Sequence, residues 1–174
     1  VVVDELYEAF TGDSVLPIAD FTATPNLLVF RSLAKTAGLA GLRIGFAIGH
    51  ADVVDRVSRV TGPYDVNSVA VAAAFAALAD QSYVDAYVAE VLRAREWTLD
   101  ALRQAAVRHH CDGGNYLLVW PKRSVEEIEA ELRAAGILVR SMAGKPMIDG
   151  CFRVSIGTTS QMKQFVEAYL RLDP

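Results

Sequence analysis

Apolar residues along this chain come in two rhythms. Short runs bounded by glycine, proline or charge read as strands: Val1-Val2-Val3, Leu27 to Phe30, a run resuming after Arg43 as far as Gly49, Asn115 to Trp120 closed by Pro121, Ile137 to Val139, and Phe152 to Ile156. The first has the composition of a buried parallel strand. Elsewhere the apolar positions recur at helical spacing. Residues 51–60 put Val53, Val57 and Val60 on one face, with Asp52 early and Arg59 late, as the helix dipole prefers. Asn67 or Ser68 can cap a second helix through about Leu78, and a long third helix is predicted from Ser82 to about Ala106. Ser124-Val125-Glu126-Glu127 is a capping-box pattern opening a helix to Ala135, which Gly136 ends, and Ser160 to Leu172 closes the chain.

Residues 11–25, with Gly12, Asp13, Pro17 and Pro25, read as a loop, and so does the polar, glycine-bearing stretch from His109 to Gly114. The order after the long helix is strand, helix, strand, strand, helix, which predicts a compact α+β unit. An α/β part over residues 1–95 and a small α+β domain over 96–174 is the expected organisation. The chain opens inside an apolar strand, without an initiator Met, which suggests a fragment of a longer protein.

Composition narrows the classes. The 174 residues are 52% hydrophobic, enough to bury a core, and 17 Lys+Arg against 21 Asp+Glu give no overall basic field for nucleic acid or an anionic membrane. The longest apolar run, Val69 to Ala79, is too short to span a bilayer. Cys111 and Cys151 have neither CxxC nor histidine-ligand spacing, so no metal site or disulfide framework is expected, and a reducing cytoplasm is the default. His50, His109 and His110 read as ordinary surface or loop residues.

Candidate chemistry concentrates between Asn26 and Gly49. Lys35 is one of four lysines and lies between two strand-like runs, where its amine is a candidate nucleophile toward a carbonyl carbon. Gly38 and Gly41 allow tight turns before Arg43, whose planar fork suits a phosphate, and Ser32 could donate to the same anion. The spacing is neither a Walker loop nor GxGxxG, so no nucleotide site is indicated. Asp4 and Glu5, at the end of the first run, read as solvated or loop-capping carboxylates as readily as functional ones. Arg153, taken alone, reads as a surface ion-pair residue.

Taken together, Asp4-x-x-Tyr7, Ser32-x-x-Lys35 and Arg43 resemble fold type I pyridoxal-phosphate enzymes, in the branch that contains histidinol-phosphate aminotransferase. The resembling text is VVVDELYEAF, then PNLLVFRSLAKTAGLAGLRIGFAIG, and FRVSIGT near the end. The resemblance covers almost the whole chain and matches roughly the C-terminal half of such an enzyme. It implies the C-terminal part of the large cofactor domain, a mostly parallel sheet with helices, followed by the small domain. It also implies an aminotransferase with pyridoxal 5'-phosphate as cofactor, acting between a small-molecule amino acid and a keto or aldehyde acceptor, as a homodimer.

Residue by residue, Asp4 matches the aspartate that pairs with the pyridinium nitrogen, and Tyr7 the tyrosine bonded to the cofactor's ring oxygen. Lys35 matches the Schiff-base lysine that also moves the proton at Cα. Ser32 and Arg43 match phosphate ligands, Arg153 the arginine that grips the substrate α-carboxylate, and Asn115 a residue lining the site from the small domain. Ala34 stands where relatives usually carry serine, which removes one phosphate donor. The family's N-terminal half, with its phosphate-binding helix end and ring-stacking aromatic, has no counterpart in this sequence. The same resemblance leaves a threonine-phosphate type of decarboxylase, or a catalytically silent fragment, as alternatives.

Overall fold

The first strands form because β-branched and aromatic residues cluster where glycine and proline do not interrupt them. The computed structural model describes all residues 1–174 and divides into two compact units, Val1–Val88 and Ala89–Pro174. In the first, β1 (Val2–Asp4) pairs in parallel with β2 (Leu28–Ser32), setting Val2 opposite Leu28 and Asp4 opposite Phe30. β3 (Gly45–Gly49) returns antiparallel along β2, from Leu28 opposite Gly49 to Ser32 opposite Gly45, which gives the sheet order β1-β2-β3. Gly49 is required there: a Cβ would stand 2.7 Å from Leu28 Cδ2 and 2.9 Å from the Leu27 carbonyl.

β2 is the centre of this sheet, and Val29 is fully buried. The Val1–Val3 run is a parallel strand, but it is not buried in this chain. It lies at the sheet edge with one neighbour, and Val1 and Val2 remain 72% and 59% exposed. A short helix, α1 (Glu8–Thr11), closed by Gly12 at φ +79°, leads into the predicted loop over residues 11–25, which itself contains a 3₁₀ turn over Leu16–Ile18.

Helix α2 (Ala51–Ser58) follows β3, with His50 as its cap: Nδ1 accepts the Asp52 amide. Asn67 caps α3 (Ser68–Ala79). This helix is apolar on every side, yet it buries only Ala70 and Ala74 and leaves Val69, Phe75 and Leu78 exposed. The long helix α4 (Gln81–Gln104) carries the chain from the first unit into the second.

The second unit is a four-stranded antiparallel sheet in the order β4-β5-β7-β6, formed by β4 (Arg108–His110), β5 (Tyr116–Trp120), β6 (Arg140–Ser141) and β7 (Phe152–Ser155). One face carries α6 (Thr159–Leu172), where Phe152 meets Phe165 and Tyr169 edge-on at 6.2 and 5.7 Å. Helix α5 (Val125–Ala134) packs beside α6 and buries Ile128 and Leu132. Leu118 of β5 and Cys151, just before β7, cluster with Met142, against Trp120 and Ile148.

Two expectations move here. Strand β6 begins at Arg140, past the predicted Ile137 to Val139, because Gly136 at φ +79° ends α5 and the Ile137 amide closes back on the Leu132 carbonyl at 2.8 Å. That is a Schellman closure, and it keeps Ile137 out of the sheet. His109 and His110, predicted in a loop, belong to the edge strand β4 opposite Val119 and Leu118.

Helix α6 begins with a full capping box between Thr158 and Gln161. In addition, Glu90 accepts the Thr159 amide at 2.8 Å. That bond, with help from Arg93, pulls the Glu90 carboxyl down to about 2. At the other end of α6 the buried Asp173 accepts from the Tyr169 hydroxyl and from the Lys122 and Arg123 amides, tying the helix end to the segment after β5.

Candidate functional site

Parallel strands end on the same side of their sheet, and that edge is where α/β folds bind ligands. The chain uses it twice. Asp4 is the last residue of β1 and Tyr7 follows it, while Ser32 is the last residue of β2 and the turn that carries Lys35 follows it. Asp4 Oδ1 accepts the Leu6 amide at 3.0 Å, which directs the backbone into α1. The Tyr7 carbonyl receives the Phe10 and Thr11 amides, so the first turn of α1 holds Tyr7 in place. Lys35 Nζ then lies 5.6 Å from the centroid of the Tyr7 ring, a cation–π distance, and both side chains are half-buried.

Ser32 and Arg43 come together across the β2–β3 connection, on the wall of a cavity of about 210 Å³ that Ala34 and Ala40 also line. Ser32 Oγ donates to the Ile44 carbonyl at 3.1 Å and accepts the Ala34 amide at 3.1 Å. Serving an anion would therefore require its one proton to turn away from Ile44. Arg43 spends one donor on the Ala40 carbonyl at 3.0 Å, which leaves others of its five. A hydroxyl and a guanidinium on one small cavity make a donor set that fits a phosphate group.

Arg153 and Asn115 belong to the second unit. The Arg153 guanidinium stacks 5.0 Å over the Tyr116 ring, and the Asn115 carbonyl accepts the Ile156 amide at 2.8 Å, joining the start of β5 to the end of β7. Arg153 is not the surface ion-pair residue that it resembles in isolation: none of the ion pairs of the chain involves it. Arg140 on β6 stands directly opposite it in register. Two like charges opposed across a sheet repel, so the pair is suited to sharing an anion.

The structure adds residues that the sequence reading passed over. Glu5 is neither solvated nor a simple cap; it is 6% exposed and accepts from Val15 N at 2.6 Å, Ser14 Oγ at 3.0 Å and Arg31 Nε at 2.9 Å. Arg31 also reaches Glu8 at 3.2 Å. Burial pushes the Glu5 carboxyl up, but the Val15 amide, Arg31 and Ser14 outweigh it and hold the group below its ordinary value. Glu5 follows Asp4 and Arg31 precedes Ser32, so this ion pair between a buried carboxylate and a half-buried guanidinium clamps the two strand ends that bear the candidate residues. The available signal was Arg31 itself, a charge inside an otherwise apolar run.

A group with a lowered folded-state value stabilises the fold above its unfolded value and loses that contribution as pH falls through the folded one. Glu5→Gln is accordingly expected to destabilise the protein at pH 7 by about 1–3 kcal/mol. The gap to wild type should narrow below the ordinary glutamate value of 4.5. Denaturant titrations at pH 7 and pH 3 check this, and a pH-independent gap would refute it.

The comparisons with known proteins agree in kind. The family described as aminotransferase class I and II matches residues 1–168. Histidinol-phosphate aminotransferase 1 of Pseudomonas fluorescens is 33% identical over 171 residues, which are 96% of this chain and 48% of that protein. Among solved structures, L-threonine-O-3-phosphate decarboxylase from Porphyromonas gingivalis superposes with a TM-score of 0.81 at 24% identity, covering 98% of this chain and 54% of its own. Histidinol-phosphate aminotransferase from Sinorhizobium meliloti, in complex with pyridoxal-5'-phosphate, gives 0.78 at 24% identity, covering 98% and 49%. These structures share the fold, and the chain spans about half the length of the curated relatives it matches. With the family match running from the first strand into the last helix, the chain belongs to the aminotransferase class I and II family.

Proposed function

We propose that this chain forms the lysine-bearing part of a pyridoxal-phosphate-dependent aminotransferase of the histidinol-phosphate aminotransferase type, working in the cytoplasm as a homodimer. Residues 1–95 are the C-terminal part of its cofactor domain and 96–174 its small domain. The observation that carries the reading is the Lys35 amine over the Tyr7 ring at the edge where β1 and β2 both end. Pyridoxal phosphate, when bound, supplies an electron-withdrawing ring that stabilises negative charge at the substrate Cα.

The chain's own residues divide the remaining work. Lys35 receives and returns the proton at Cα. Asp4 would pair with the ring nitrogen and Tyr7 with the ring oxygen, and Ser32 and Arg43 would hold the phosphate. Arg153 takes the substrate α-carboxylate, aided by its stacking on Tyr116, and Asn115 lines the same side. Arg140, opposite Arg153, favours substrates with a second anionic group.

The full-length protein, loaded with pyridoxal phosphate and given glutamate with a keto or aldehyde acceptor, is expected to form 2-oxoglutarate and the aminated acceptor. Release of carbon dioxide from a phosphorylated amino acid, without any keto acid, would instead assign the decarboxylase activity named for the Porphyromonas protein. Failure to bind pyridoxal phosphate would overturn both.

A further inference from the structure

Arg43 has a left-handed backbone, φ 56° and ψ 43°, that a side chain-bearing residue adopts only where its surroundings impose it. Part of the imposition is local: the Leu42 amide bonds the Leu39 carbonyl at 3.0 Å. The other part comes from 25 residues away, where Asn67 Nδ2 donates to the Leu42 carbonyl at 3.2 Å. That carbonyl shares a peptide plane with the Arg43 amide, so fixing it restricts the rotation that sets φ of Arg43.

Asn67 can hold the carbonyl because its other end is already engaged. Oδ1 accepts the Ala70 amide at 2.8 Å as the cap of α3. The opposite flip of the amide would set N–H against N–H and oxygen against oxygen, so the cap also orients the donor toward Leu42.

We infer that Asn67 is a positioning residue for Arg43: it couples the start of α3 to the left-handed turn that sets the guanidinium on the Ser32–Arg43 cavity, and thereby tunes the affinity of that cavity for a phosphate-bearing ligand. The inference rests on the cofactor role proposed above for Arg43. A residue that only capped a helix would act on stability alone.

Two variants separate the roles. Asn67→Ser keeps a neutral capping oxygen but is too short and lacks the N–H₂ to hold Leu42, whereas Asn67→Ala removes both functions. In the full-length protein, Asn67→Ser is expected to keep the wild-type melting temperature while its dissociation constant for pyridoxal phosphate rises roughly 2- to 12-fold, the loss of one neutral hydrogen bond. Hydrogen exchange at the Leu42 amide should also quicken without cofactor present. Asn67→Ala should show the same loss of affinity together with a lower melting temperature. Wild-type affinity in Asn67→Ser overturns the inference. If wild type itself binds no pyridoxal phosphate, the proposed function fails instead, and unchanged Leu42 exchange in Asn67→Ser would then overturn the tie independently.

Discussion

Replacing Lys35 by alanine in the full-length protein is expected to lower transamination by roughly 10²–10⁴-fold or more, the scale at which a positioned acid–base group contributes. The loss should fall on turnover far more than on the affinity for pyridoxal phosphate. Lys35 does not line the cavity shared by Ser32 and Arg43, so the groups proposed to hold the phosphate survive the substitution. The Tyr7 ring should survive too, because the first turn of α1 fixes its backbone through bonds that do not involve Lys35. Visible absorbance of the cofactor linked to the lysine should disappear in the variant, while equilibrium dialysis still detects binding. Unchanged absorbance and turnover would remove Lys35 from the mechanism, and with it the main support for the proposed function.

Much of this geometry was visible in the order of residues, but not the distances that make it useful. Strands β2 and β5 were legible because both are central strands, whose apolar runs are nearly unbroken. The cap Ser124, and Asn67 as one of two candidates with Ser68, were legible because side-chain capping is local, reaching only three residues along the chain. Strand β4 was not, since Arg108, His109 and His110 form an edge strand that pairs on one side only and carries no apolar signature.

The same divide between local and non-local runs through the candidate site. Asp4 and Glu5 are neighbours with the same charge, and nothing within a few residues tells the exposed one from the buried one. What separates them is Arg31, 26 positions away, which becomes a neighbour only because β1 lies parallel to β2. Asn67 shows this most plainly: its cap was readable, whereas its bond to Leu42 depends on where α3 starts relative to the β2–β3 connection. The roles proposed for Lys35, Ser32 and Arg43 came from family resemblance, and the arrangement of side chains adds the Tyr7 contact and the cavity that Ser32 and Arg43 share.

Arg153→Ala is the second large expected effect, and it should appear as a loss of substrate affinity. Arg153 sits in the interior of β7, between β5 and β6, so its backbone is held on both sides, and its guanidinium rests on the Tyr116 ring. A fork held in this way has little rotamer freedom left to lose when a carboxylate arrives. Removing two charge-assisted hydrogen bonds should cost about 3 kcal/mol, on the order of a 10²-fold rise in KM for an amino acid substrate. Arg153→Lys should fall in between, because an ammonium keeps the charge but cannot present two parallel donors. The like-charge repulsion from Arg140 makes a control necessary, since deleting Arg153 relieves it and could stabilise the sheet. Melting temperature should therefore stay level or rise while KM worsens, which a general packing defect would not produce. An amine substrate lacking the α-carboxylate supplies the other control: its KM should be the same in wild type and Arg153→Ala. An equal loss with both substrates would show that Arg153 supports the sheet and does not read the carboxylate.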